Sequence, residues 1–140
     1  MTPKQNDFLR RALQIDFGIS LVCTSALIAA SVPLAELAGL PHLLVLGTGL
    51  VFVPFLILLG WVLRCPTPPR QGVQMVIGLN VAWAVGTIIF LASGIVAPTV
   101  YGYLLIAGIG VAVAVFAEME IVGLRRALSA GGATRTATTS

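Results

Sequence analysis

An all-α fold, an integral membrane four-helix bundle made of two helical hairpins, follows from three observations. Hydrophobic residues make up 58% of the chain and charged ones only 9%, against about 25% charged in an ordinary soluble domain. The apolar residues gather into four stretches of about 20, the length a helix needs to cross hydrocarbon at about 1.5 Å per residue. Threaded as spans, these stretches put all eight basic residues on one side: Lys4, Arg10, Arg11, Arg64, Arg70, Arg125, Arg126 and Arg135. Positive residues stay cytoplasmic, so both termini are expected inside.

The elements are read in order. Asn6 is a plausible N-cap, and the first span covers about 12–32 and ends at Pro33. The outer loop 33–42 holds Glu36 as its one formal charge and is expected to lie against the headgroups. Span two runs over about 43–63, with Pro41 placed for a helix start, Trp61 at interface depth and Pro54 mid-span. The turn Arg64-Cys65-Pro66-Thr67-Pro68-Pro69-Arg70 holds too many prolines for a helix and should be stiff and extended. Span three covers about 72–92, a turn with Pro98 follows, and span four covers about 100–124. Residues 1–128 thus form one transmembrane domain. The small, polar stretch 129–140 has no apolar period and reads as a disordered cytoplasmic tail.

Several function classes lose support here. The basic residues stand in ones and twos at span ends with no interleaved aromatics, so topology explains the pI of 9.4 and nucleic-acid binding is not expected. Cys23 falls inside the first span and Cys65 in a cytoplasmic turn, which gives no disulfide framework. His42 is the only histidine, so neither bis-imidazole haem ligation nor a zinc cluster is expected, and no cofactor is assigned. Neither a catalytic triad away from His42 nor a glycine-rich phosphate loop can be found, and the chain reads as a non-enzyme.

The informative residues are the polar ones inside the spans. Asp16 shares its face with Ser20, Cys23, Leu27 and Ala30, a mostly small stripe of the kind that lets helices approach closely. In span four Glu118 lies with Ala114, Val111, Ala107 and Tyr103, and Glu120 with Phe116, Val113 and Ile109. The smaller face is expected inward, so Glu118 points into the bundle and Glu120 snorkels outward. Asn80 and Thr87 share a face of span three, while Gly78, Ala82 and Gly86 form a small-xxx-small ridge that suits a membrane partner or a second copy. Asp16, Asn80, Thr87 and Glu118 therefore make a candidate intramembrane polar site. Arg11, Arg64 and Arg125 are the candidate ion-pair partners.

The strings Leu79-Asn80-Val81-Ala82-Trp83 and Ala117-Glu118-Met119-Glu120-Ile121-Val122-Gly123-Leu124-Arg125-Arg126, with Leu9-Arg10-Arg11 before the first span, resemble a group of small bacterial four-span inner-membrane proteins of unassigned function. The resemblance implies a fold and a place in the bacterial cytoplasmic membrane, and no activity. Two functional expectations follow. The preferred one is a non-enzymatic accessory or partner subunit, because the chain lacks reactive chemistry and span three has two faces suited to packing. The alternative is a small transporter or channel that uses Asp16 and Glu118 with Asn80.

Overall fold

The computed structural model describes residues 3–137, with side chains described over 7–130. Five helices and no strand run through them: α1 (Pro3–Ala29), α2 (Ser31–Ala38), α3 (His42–Arg64), α4 (Arg70–Ser93) and α5 (Val100–Ala137). Of these α1, α3, α4 and α5 are long and apolar enough to cross a membrane. The four expected spans fall on these helices, and the differences lie at their ends.

Pro33 ends the first long helix from a distance. Its ring and missing N–H deny the Ala29 carbonyl, four residues back, a helical partner. The chain bends at Ala30 (φ −112°, ψ 27°), and α2 then takes Pro33 into its first turn, where proline is tolerated. Most of the expected outer loop is therefore helical. Asn6 lies within α1 and is not its cap, since the helix already includes Pro3. The expected tail is helical as far as Ala137, and 138–140 lie outside the described residues. Ala127, Ala130 and Ala133 favour this extension, because continuing an existing helix adds a hydrogen bond per residue without a new nucleus. The proline turn is extended, as its composition demands, with Cys65 at φ −69°, ψ 132° and Pro69 at φ −67°, ψ 130°.

The four long helices form a ring in the order α1, α3, α4, α5. A glycine serves each neighbouring pair. A Cβ on Gly49 of α3 would stand 2.8 Å from Ile28 of α1, and one on Gly72 of α4 would stand 2.8 Å from Val62 of α3. Likewise Gly110 of α5 meets Thr87 of α4 at 2.9 Å, and Gly123 of α5 meets Leu9 of α1 at 3.1 Å. The Gly78, Ala82 and Gly86 ridge is different: all three residues are exposed, and a Cβ on either glycine would meet nothing within 4 Å.

The bundle has two distinct ends. At the basic end lie the α1 start, the α3–α4 turn and the later part of α5; at the α2 end lie α2 and the α4–α5 turn. The basic end is closed by Leu9, Leu13, Phe55, Leu59, Val62, Val73 and Val76. The α2 end is closed by the smaller cluster Leu27, Ala35 and Val45. Thr99 joins α2 to α5 there. Its hydroxyl donates to the Leu37 carbonyl at 2.7 Å and accepts the Gly102 N–H at 3.2 Å, while its own N–H reaches the Ala38 carbonyl at 2.9 Å.

Candidate functional site: a buried carboxyl pair

Buried positions on α1 recur at Leu9, Leu13, Asp16, Ser20, Thr24 and Leu27, steps of three or four that keep one stripe facing the ring's centre. Asp16 therefore enters the core above the Leu9 and Leu13 layer. Asn80 follows Val73 and Val76 on the inward stripe of α4, and Glu120 follows Val113, Phe116 and Ala117 on that of α5. Three helices thus deliver three polar side chains to one level. Asp16 and Glu120 are 0% exposed and Asn80 is 2% exposed.

The set is held by one amide. Asn80 Nδ2 donates to Asp16 Oδ2 at 3.2 Å and to Glu120 Oε2 at 3.2 Å, which uses both of its hydrogens and sets the carboxyl groups side by side. Ser20 Oγ adds a bond to Asp16 Oδ1 at 3.0 Å. Glu120 Oε1 has no hydrogen-bond partner among the described residues.

This arrangement reverses the reading of span four. Glu118 is exposed and Glu120 is in the core. The inward face of α5 is chosen by volume as much as by closeness: Val113 and Phe116 fill the wide middle, while Gly110 and Gly123 sit on the same face where neighbours approach. That face carries Glu120. The two glycines were the signal that sequence reasoning passed over. Thr87 is also outside the set, since its hydroxyl donates to the Trp83 carbonyl of its own helix at 2.9 Å.

The expected ion pairs do not form. Arg11, Arg64 and Arg125 are exposed, and among the described residues no basic side chain bonds to Asp16 or Glu120. The reason is depth, because the basic residues lie at the helix ends and the seven-residue apolar layer separates them from the carboxyl groups. Arg10 instead turns to the end of α3, and Arg126 stacks on the Phe8 ring at 5.2 Å.

Two apolar clefts flank the set. One of about 460 Å³ opens between α3 and α4 and is bordered by Trp83, Thr87, Leu27 and Val45; another of about 300 Å³ lies between α1 and α5 and reaches Ser20 and Cys23. Trp83 packs edge-on against Phe52 at 4.5 Å between centroids. Asp16, Asn80 and Glu120 border neither cleft. Two close carboxyl groups without a basic partner leave their charge to be balanced by something bound. Both groups are fully buried, and a proton is the smallest species that could balance them. Among the described residues no three His, Cys, Asp or Glu side chains converge as metal ligands would. His42 is taken up by α2, its Nε2 lying 3.1 Å from Ser31 Oγ.

Comparison with protein-family models, curated proteins and solved structures returns no match.

Proposed function

We propose that this chain is a small proton-conducting channel of the bacterial cytoplasmic membrane, with both termini cytoplasmic and Asp16, Asn80 and Glu120 as its proton-binding site. One observation carries the reading: two fully buried carboxyl groups share a single amide donor and have no basic side chain bonded to them among the described residues. Ionisable groups inside a span are costly to bury, which makes them functional candidates by default. The orientation rests on the one-sided distribution of Lys and Arg.

Reconstitution tests it. Purified protein in liposomes with an internal pH dye should show proton movement when a potential is imposed, and Asp16→Asn or Glu120→Gln should abolish it while the protein stays folded. Glu118→Gln should leave it intact. A folded, unsubstituted protein that moves no protons under either polarity overturns the proposal.

The accessory-subunit reading retains one observation in its favour, the open ridge of Gly78, Ala82 and Gly86. A second copy or a partner helix seated there predicts a complex of fixed mass on native extraction, which Gly86→Leu should disperse.

A further inference from the structure

Two buried oxygens lack a hydrogen-bond partner among the described residues, Glu120 Oε1 and Thr24 Oγ1. They stand at the two ends of one polar string. From Glu120 the string passes through Asn80 to Asp16 and then to Ser20. Thr24 follows Ser20 by four residues on the same stripe of α1, about 6 Å further along the axis. Ser20 is 7% exposed and Thr24 4% exposed. A hydroxyl buried there without a partner costs free energy that Val or Ala would avoid.

The string is closed unequally at its two ends. Toward the basic end stands the layer of seven buried residues that includes Leu9, Leu13 and Leu59. Toward the α2 end stands the smaller buried cluster of Leu27, Ala35 and Val45, with Leu34 and Leu40 partly buried against it, and the larger cleft already reaches Leu27 and Val45. Among the described residues no other carboxyl or basic side chain is buried with the string, and the Cys23 thiol borders the same cleft as Ser20. Asp16, Ser20 and Thr24 come from α1, Asn80 from α4 and Glu120 from α5, while α3 has no ionisable residue between His42 and Arg64.

We infer that Thr24 and Ser20 are the proton route to the carboxyl pair, opening on the α2 side of the membrane through the Leu27, Ala35 and Val45 layer. The inference rests on the proton-conducting reading and gives it a direction. The two hydroxyls stand a helical turn apart, a gap that one water would bridge when the route opens. Each hydroxyl then accepts a proton on its oxygen from the α2 side and releases its own toward Asp16, so the net change is one proton gained by the pair. Thr24 and Ser20 act as positioning residues for that proton.

The test uses a thiol in place of the Thr24 hydroxyl, in a chain carrying Cys23→Ala and Cys65→Ser. Silver ion, which is close to water in size, is added to one side of sealed vesicles, and the thiol left free is counted with a maleimide after denaturation. A parallel Glu36→Cys sample identifies the α2 side. Thr24→Cys should react about tenfold faster from the α2 side than from the basic side, and Leu27→Ala should raise the α2-side rate further. Leu13→Cys should be inert from both sides. A Thr24→Cys thiol that is inert from both sides, or faster from the basic side, overturns the inference.

Infrared spectroscopy covers the case in which the thiol variant does not fold. On transfer to heavy water, the carboxyl band of the otherwise natural chain should exchange more slowly in Thr24→Val, and an unchanged rate counts against the route. The two readings fail separately. A reactive Thr24→Cys in a protein without proton flux keeps the route and removes the channel; flux with an inert Thr24→Cys does the reverse.

Discussion

Arg10 Nη2 donates to the Leu63 carbonyl at 3.2 Å, which ties the start of α1 to the last turn of α3. Its Nη1 lies 3.5 Å from the Cys65 and Pro66 carbonyls. The end of a helix leaves its last carbonyls unsatisfied and carries partial negative charge, so a guanidinium there is favourable twice over. Arg10→Met keeps the stem and removes the donors, and should lower stability by about 1 kcal/mol in denaturant titration of the purified protein. Arg11→Met, on the exposed face, should change it little. Equal losses for the two variants would show that Arg10 acts only as a surface charge.

The Asn80 bridge gives a sharper contrast. Asn80→Leu leaves two buried carboxyl groups without their shared donor and should destabilise by about 2 to 3 kcal/mol. Replacing all three members, Asp16→Leu, Asn80→Leu and Glu120→Leu, should recover most of that loss, because an apolar core needs no donor. The recovered protein should not move protons. A triple variant as unstable as the single one would mean that space, and not charge, dominates at this level.

How much of this was legible in the sequence depends on the scale of the question. The four long helices follow from hydropathy alone, since each apolar run has the length of a span and is bounded by proline, glycine or arginine. The inward stripe of α1 was legible as far as Asp16 and Ser20, where small and polar residues recur every fourth position. The facing of Glu118 and Glu120 was not. Two residues apart, they lie on nearly opposite faces, and a preference for the smaller face chose the wrong one because Phe116 and Val113 fill a wide interior. Arg10 was likewise hidden. Its partners are backbone carbonyls more than fifty residues away, which no side-chain pattern records. The missing ion pairs have the same origin, since distance from a span end says nothing of what apolar layer lies between.

Thr99 makes a local prediction at the α2 end. Thr99→Val keeps the shape but loses both the Gly102 cap and the bond to the Leu37 carbonyl. A lost N-cap costs about 1 to 2 kcal/mol. The effect should be confined to the junction: amide exchange at Gly102 should accelerate, while Asn80 and Val76 keep their protection. Uniform acceleration through the bundle would show that the α2 clip holds the whole ring, not one corner.

The glycines offer the last prediction, because the structure divides them by what a side chain would meet. On Gly123 a Cβ faces Leu9 Cα at 3.2 Å as well as its side chain, so the backbone itself blocks growth. Gly102 is tighter still, its missing Cβ pointing straight at the Ala38 carbonyl oxygen. Gly123→Val and Gly102→Val should therefore force helices apart and lower stability by about 1 to 3 kcal/mol, the usual range for overpacking. Gly78→Val should leave a single chain's melting temperature unchanged or slightly raised, since nothing lies within 4 Å and glycine is a weak helix former. Measured in detergent, where single chains can be isolated, the three variants should separate cleanly into two groups. A Gly78→Val that destabilises the isolated chain as much as Gly123→Val would place the ridge inside the fold and remove it as a surface for any partner.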